Sequence, residues 1–315
     1  MKQPRRPKAG TRRNIVEKQS LHGVVVPIIT PTDAQERVDE QALRSLIRRL
    51  IAAGVHGIFA GGTTGEGPLL TFAEWQRMAE ISFDECGSGA SLVTGVMDTS
   101  ASRVIERVRL LRRIGCRCFV LTPSFYIAAK TASEQLRLFS AARDAAGDME
   151  MVAYNIPQCA GVALDVGMVC DMARKGWIRY CKESSGDLAY FRDLVKRGKE
   201  AGLSVLAGDE VTMVEELKAG AAGIVPGAGN IAPALHVQLW DASTRADWDA
   251  VSRLFAQIKP IRAPLVGGPA SWVSGFKYAA SLMGIGTGKA LVPLEPMAPD
   301  QAAEIKRVLT ANKLL

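Results

Sequence analysis

The chain is short of the residues that build metal centres and disulfide frameworks. Its 315 residues include three histidines (His22, His56 and His236), never at the spacing of a metal-ligand pair. Six cysteines occur but no C-x-x-C pair, and the nearest neighbours, Cys116 and Cys118, fall in an apolar run. These scarcities argue against histidine-based chemistry, a metal site or a disulfide scaffold. They predict buried free thiols in a reducing cytoplasm. No stretch of 18 or more apolar residues occurs, so no membrane span is expected. No G-x-G-x-x-G follows the first β-branched run, which removes the main argument for a dinucleotide-binding fold. Acidic residues are scarce in one place, residues 1–20, where Glu17 stands against seven Lys or Arg. Six of the seven net positive charges therefore lie in that tail, leaving a near-neutral body and no case for nucleic-acid binding. The tail has too few apolar residues to pack and is read as a disordered extension without the apolar segment of a secretory signal.

What the chain does have is rhythm. Short β-branched runs at 24–30, 57–60, 91–96, 117–121, 150–154, 177–182, 203–207 and 223–226 alternate with amphipathic stretches. In "SRVIERVRLLRRIG", residues 102–115, Val104, Val108 and Leu111 recur at i, i+4 and i+7, the spacing of one buried helix face. That stretch and "DEQALRSLIRRLIAAG" (39–54) both end in glycine, a usual helix stop. Continuous apolar strands between helices imply a parallel sheet covered on both faces. Eight such units of roughly 25 residues fit a closed (β/α)8 TIM barrel better than an open doubly wound sheet. The barrel is expected over 21–243, with "APALHVQLWDAS" (232–243) as its eighth helix and a C-terminal helical appendage over 244–315.

In such a barrel, chemistry collects at the C-terminal ends of the strands. "GGTTGEG" (61–67) follows the second run, "YN" (154–155) the fifth, and "GDE" (208–210) the seventh; Lys182 ends the sixth. A lysine closing an apolar run is solvated, paired (Glu183 is adjacent) or chemically employed, because a buried unpaired charge is expensive. In the third case its neutral amine attacks a ketone, and the resulting iminium withdraws electrons from the neighbouring carbon. Tyr154 is suited to relay protons, the competing reading being a core or interface residue. The glycine-rich loop offers backbone N–H groups and the hydroxyls of Thr63 and Thr64 to a carboxylate or phosphate, and its alternative is a simple tight turn. It lacks the lysine of a nucleotide-binding loop.

Taken together, "GGTTGEGPLLT", "YNIPQCAG" and "CKESSGDL" resemble the ordered motifs of the dihydrodipicolinate synthase/N-acetylneuraminate lyase family of class I aldolases. The resemblance runs from about residue 23 through the C-terminal helices. It implies a homotetramer acting on a small 2-oxo acid without metal or organic cofactor. It implies Lys182 as Schiff-base former, Tyr154 as proton relay and Thr63 as relay partner. Thr64 then helps hold the carboxylate of a pyruvate-like substrate, and the backbone at Val225 lines the same pocket.

Two departures bear on the substrate. Dihydrodipicolinate synthases carry an arginine for the aldehyde's carboxylate in the loop after "YN-P", where this chain has Cys159, which makes no bidentate contact. They also contribute a tyrosine across a subunit interface at the position held here by Phe125, with Tyr126 adjacent. Lysine biosynthesis is thereby put in doubt. "GDE" resembles the acidic pair with which sialic-acid lyases contact polyol hydroxyls, although other relatives carry acids there too; with no arginine at position 159, a hydroxylated or uncharged tail is expected on the substrate rather than a second carboxylate. The expected activity is a lyase: aldol cleavage or condensation, or dehydration. True dihydrodipicolinate synthase is the enzymatic alternative, and a non-catalytic 2-oxo-acid-binding barrel the other.

Overall fold

The computed structural model describes residues 21–315, so the expected tail of 1–20 lies outside the described residues. Eight strands form the sheet: β1 (Gly23–Pro27), β2 (Gly57–Ala60), β3 (Ser91–Gly95), β4 (Cys118–Leu121), β5 (Glu150–Asn155), β6 (Ile178–Glu183), β7 (Ser204–Ala207) and β8 (Gly223–Ile224). All pair in parallel and in chain order, and β8 returns to β1 to close the barrel. At the closure Gly23 faces Gly223, and a Cβ on Gly223 would lie 2.6 Å from the Gly23 carbonyl oxygen. Glycine is what lets the last strand reach the first.

Alternation along each strand separates two apolar layers. Val25, Phe59, Val93, Val120, Val152 and Leu206 point inward and fill the barrel. Val24 and Val26, Ile58 and Ala153 point outward, against the helices. The helices are α1 (Glu40–Ala52), α2 (Phe72–Cys86), α3 (Ala101–Ile114), α4 (Ala132–Ala146), the short α5 (Pro157–Ala160), α6 (Val166–Arg174), α7 (Leu188–Glu200), α8 (Met213–Lys218) and α9 (Pro233–Thr244). Their starts are chemically marked: the side chains of Asp39, Thr71 and Asp187 accept from N–H groups of the first turn, and Thr131 with Glu134 forms a capping box. Val104, Val108 and Leu111 of α3 are fully buried, as their spacing predicts. After α9 the chain continues as α10 (Trp248–Val266), α11 (Trp272–Leu282) and α12 (Pro299–Ala311).

Strand ends differ from expectation where side chains replace the ladder. The first run stops at Pro27 rather than residue 30, because Ile29 N–H donates to Asn230 Oδ1 and Thr30 Oγ1 turns to the Gly65 carbonyl. The sixth runs one residue further than expected, making Lys182 its penultimate residue and Glu183 its last. All six cysteines are free, but Cys159 is exposed where a buried thiol was expected.

Candidate active site

Lys182 and Tyr154 are direct partners in the β5–β6 register, so the sheet itself sets their side chains next to each other on the inner face. Lys182 Nζ donates to Tyr154 Oη at 3.1 Å. It also lies 4.1 Å from the Tyr154 ring centroid and 5.0 Å from that of Phe59, which meets Tyr154 edge to face. The lysine is 6 % exposed, and no carboxylate pairs with it among the described residues. Glu183 is excluded as counter-ion by the pleat: one residue on, it points to the opposite face. There it accepts from Asn155 Nδ2 and from Ser185 N–H, each at 2.9 Å, and burial pushes its carboxyl up despite those bonds. Gly208, just after β7, leaves room for the lysine, since a Cβ there would lie 2.9 Å from Lys182 Cε.

Above this pair opens a cavity of about 330 Å³, walled by Thr63, Thr64, Cys159 and Val225 among others. Of the residues expected from sequence, six share this cavity. Phe125 does not; half-buried, it lines an adjoining cavity of about 290 Å³ that shares Thr63, Ile156, Cys159 and Trp272 with the first. Cys159 is exposed by area yet crowded at the rim, and desolvation pushes its thiol up against the opposing pull of Lys182. Tyr126 is 95 % exposed with a left-handed φ of 69°, so it does not face this chain's own cavity.

On the far wall Glu210 of "GDE", a motif expected from sequence, meets partners that were not: Arg262, His236 and the Ala228 N–H. Glu210 is buried and accepts from Ala228 N–H at 3.1 Å, with Arg262 Nε at 3.4 Å and His236 Nε2 at 3.7 Å. Burial works to raise its pKa, but the imidazole and guanidinium hold it below the ordinary carboxylate value. Asp209 and Arg262 line the same cavity, as do Val266, Trp272 and Phe276 of α10 and α11. These last residues come from a region read only as helical pattern. The signal available was weak: Arg262 stands between two prolines that no ordinary amphipathic helix would carry.

Among the described residues no group of three or more His, Cys, Asp or Glu side chains is arranged to hold a metal ion, and no helix is long and apolar enough to cross a membrane. Residues 20–312 match the Dihydrodipicolinate synthetase family. An uncharacterised DapA-like lyase of Halobacterium salinarum is 31 % identical over 297 residues, covering 94 % of this chain and 95 % of the relative. A 4-hydroxy-tetrahydrodipicolinate synthase of Thermomicrobium roseum is 31 % identical over 293 residues, covering 92 % and 93 %. Among solved structures, YagE, a prophage protein of the dihydrodipicolinic acid synthase family from E. coli K12 solved in complex with pyruvate, superposes with a TM-score of 0.86 at 25 % identity. That superposition covers 93 % of this chain and 99 % of YagE.

Proposed function

The chain belongs to the dihydrodipicolinate synthetase family, a family of class I lyases acting on pyruvate through a lysine Schiff base, and from that premise we propose that Lys182 is the imine-forming residue. The observation that carries this reading is the 3.1 Å contact between Lys182 Nζ and the Tyr154 hydroxyl in a cavity where the lysine has no counter-ion among the described residues. The amine adds to the C2 carbonyl of the 2-oxo acid, and the carbonyl oxygen leaves as water once protonated. Tyr154 both donates and accepts, so it relays the protons of addition and dehydration; Thr63 lines the same cavity without a direct hydrogen bond to the phenol and is its partner once substrate is bound. Thr64 and the loop around it hold the substrate carboxylate, and the backbone at Val225 borders the same space. The iminium then accepts the electron pair released when a carbon–carbon bond breaks or an α-proton departs.

The distal half of the substrate follows from the cavity's charges. Cys159 brings no cation, and Arg262 is already matched to Glu210. Asp209 forms no ion pair among the described residues, so a second carboxylate would meet its charge unshielded. A hydroxylated or uncharged acceptor fits better. The names of relatives favour a second reading, 4-hydroxy-tetrahydrodipicolinate synthase. We further infer a homotetramer working in the cytoplasm, with Phe125 near the subunit boundary.

Pyruvate with borohydride tests the first point: mass spectrometry should find one reduced adduct, on Lys182, and an adduct on another lysine would sink the mechanism. A kcat/KM panel tests the second, comparing aspartate semialdehyde with neutral and hydroxylated aldehydes. Preference for aspartate semialdehyde would restore the synthase reading.

A further inference from the structure

The loop that carries Thr63 and Thr64 contains a charged group for which the chemistry above has no use. Glu66 is fully buried, and its Oε2 lies 2.6 Å from Nζ of Lys277 on α11, itself 2 % exposed. Its Oε1 accepts from Leu291 N–H, also at 2.6 Å, in the segment between α11 and α12. Lys277 Nζ reaches Thr32 Oγ1 at 3.3 Å. Burial works to depress the Lys277 ammonium, and the Glu66 charge opposes it. Glu66 also has a φ of 55°, a left-handed conformation that a glutamate keeps only when its surroundings impose it.

The backbone around the two threonines is held by a set of hydrogen bonds that this residue joins. Glu66 N–H donates to the Thr63 carbonyl at 3.1 Å, Gly67 N–H to Gly62 at 3.1 Å, and Thr30 Oγ1 holds the Gly65 carbonyl at 2.6 Å. Neither Thr63 nor Thr64 has a side-chain hydrogen bond of its own among the described residues. Their hydroxyls are placed by the backbone alone. A buried ion pair gives little net stability over apolar side chains of similar volume, so its value here lies in geometry.

We propose that Glu66 and Lys277 are positioning residues: their buried pair holds the Thr63–Thr64 backbone where the 2-oxo acid's carboxylate binds, and through it α11 sets the affinity for that carboxylate. This rests on the Schiff-base reading above. The test is the pyruvate concentration that half-saturates borohydride trapping on Lys182, measured in the full-length protein and in Glu66→Gln and Thr32→Val. Glu66→Gln turns an amide donor or a neutral oxygen toward Lys277, and half-saturating pyruvate should rise at least tenfold. Thr32→Val removes only the 3.3 Å contact, and a two- to threefold rise is expected. At saturating pyruvate the fraction trapped should stay within twofold of the unmodified protein. A role confined to folding would instead lower the melting temperature and the amount of active protein without moving half-saturation, and that outcome overturns the proposal. Should Glu66→Gln fail to fold, an unchanged half-saturation in Thr32→Val overturns it equally. Absence of any Lys182 adduct in the unmodified protein would overturn both this inference and the mechanism beneath it, which keeps the two failures distinguishable.

Discussion

The protein buries two lysines a few ångströms from its loops and treats them in opposite ways. Lys277 on α11 has a carboxylate at 2.6 Å, a hydroxyl at 3.3 Å and almost no exposure. Lys182 on β6 has a phenol at 3.1 Å, two aromatic faces and an open cavity. A third buried ionisable group, Glu216 on α8, follows another course. With no cation beside it among the described residues, burial first and the nearby Glu183 and Asp209 charges after it push its carboxyl up to about 8 despite the Thr212 hydroxyl bond. A buried charge is thus paired at Lys277 and suppressed by protonation at Glu216. At Lys182 no carboxylate is placed to pair among the described residues, and on the proposed Schiff-base reading that asymmetry separates a residue used for chemistry from residues used for structure.

The largest effect should come from breaking the unpaired side of this comparison. Lys182→Ala should abolish pyruvate adducts by mass spectrometry, and Lys182→Arg should do the same because a guanidinium stays protonated. Folding stability should barely respond: Lys182→Met orphans no counter-charge, so chemical denaturation should find it within about 1 kcal/mol of the unmodified protein. Next comes the phenol. Tyr154→Phe should reduce turnover by about 10²–10⁴-fold while leaving the far-ultraviolet circular dichroism unchanged. A near-normal rate would move the relay to another group.

The paired side should behave conversely. Lys277→Met leaves the Glu66 carboxylate buried without its cation, and unfolding free energy should fall by about 3–5 kcal/mol. If Lys182→Met and Lys277→Met cost the same, the distinction between the two lysines fails. Glu216 supplies the smallest effect, with a definite sign. In the unfolded chain its carboxyl ionises near the ordinary 4.5, whereas the folded protein holds the proton to about 8. Between those values the folded state binds the extra proton, so this group lowers stability progressively as pH rises from 4.5 to 8 and keeps the deficit above. Glu216→Gln should therefore gain on the order of 2–4 kcal/mol at pH 9 and little at pH 4. Equal stabilisation at both values would mean the gain is packing rather than charge.

Much of the architecture was legible because a barrel repeats one simple signal. The eight apolar runs became β1–β8 with shifts of at most a few residues, since a strand covered on both faces needs a continuous run of β-branched side chains. Residues that line the cavity were legible because loops after the strands carry polar groups that no core requires, as at Thr63, Thr64 and Asp209. An ammonium within an apolar run occurs at Lys182 and again at Lys277 in "WVSGFKYAASL", and in sequence they differ in that Lys182 closes a strand run whereas Lys277 lies in a helical pattern. That Lys277 is paired was not legible, because its partner is a glutamate 211 positions away in the chain.

By itself the sequence determined what is local or periodic: the alternation of strand and helix, the helix caps, the glycine-rich loop and the residue types able to form an imine. Only the tertiary structure decided which charges are matched. The register of β5 on β6 turns Lys182 toward Tyr154 and Glu183 away from both. The packing of α10 and α11 over the barrel mouth brings Arg262 to Glu210 and Lys277 to Glu66. The physical reason is range: propensity and periodicity act within a few residues, whereas a buried charge is settled by whatever the closed barrel sets within a few ångströms of it.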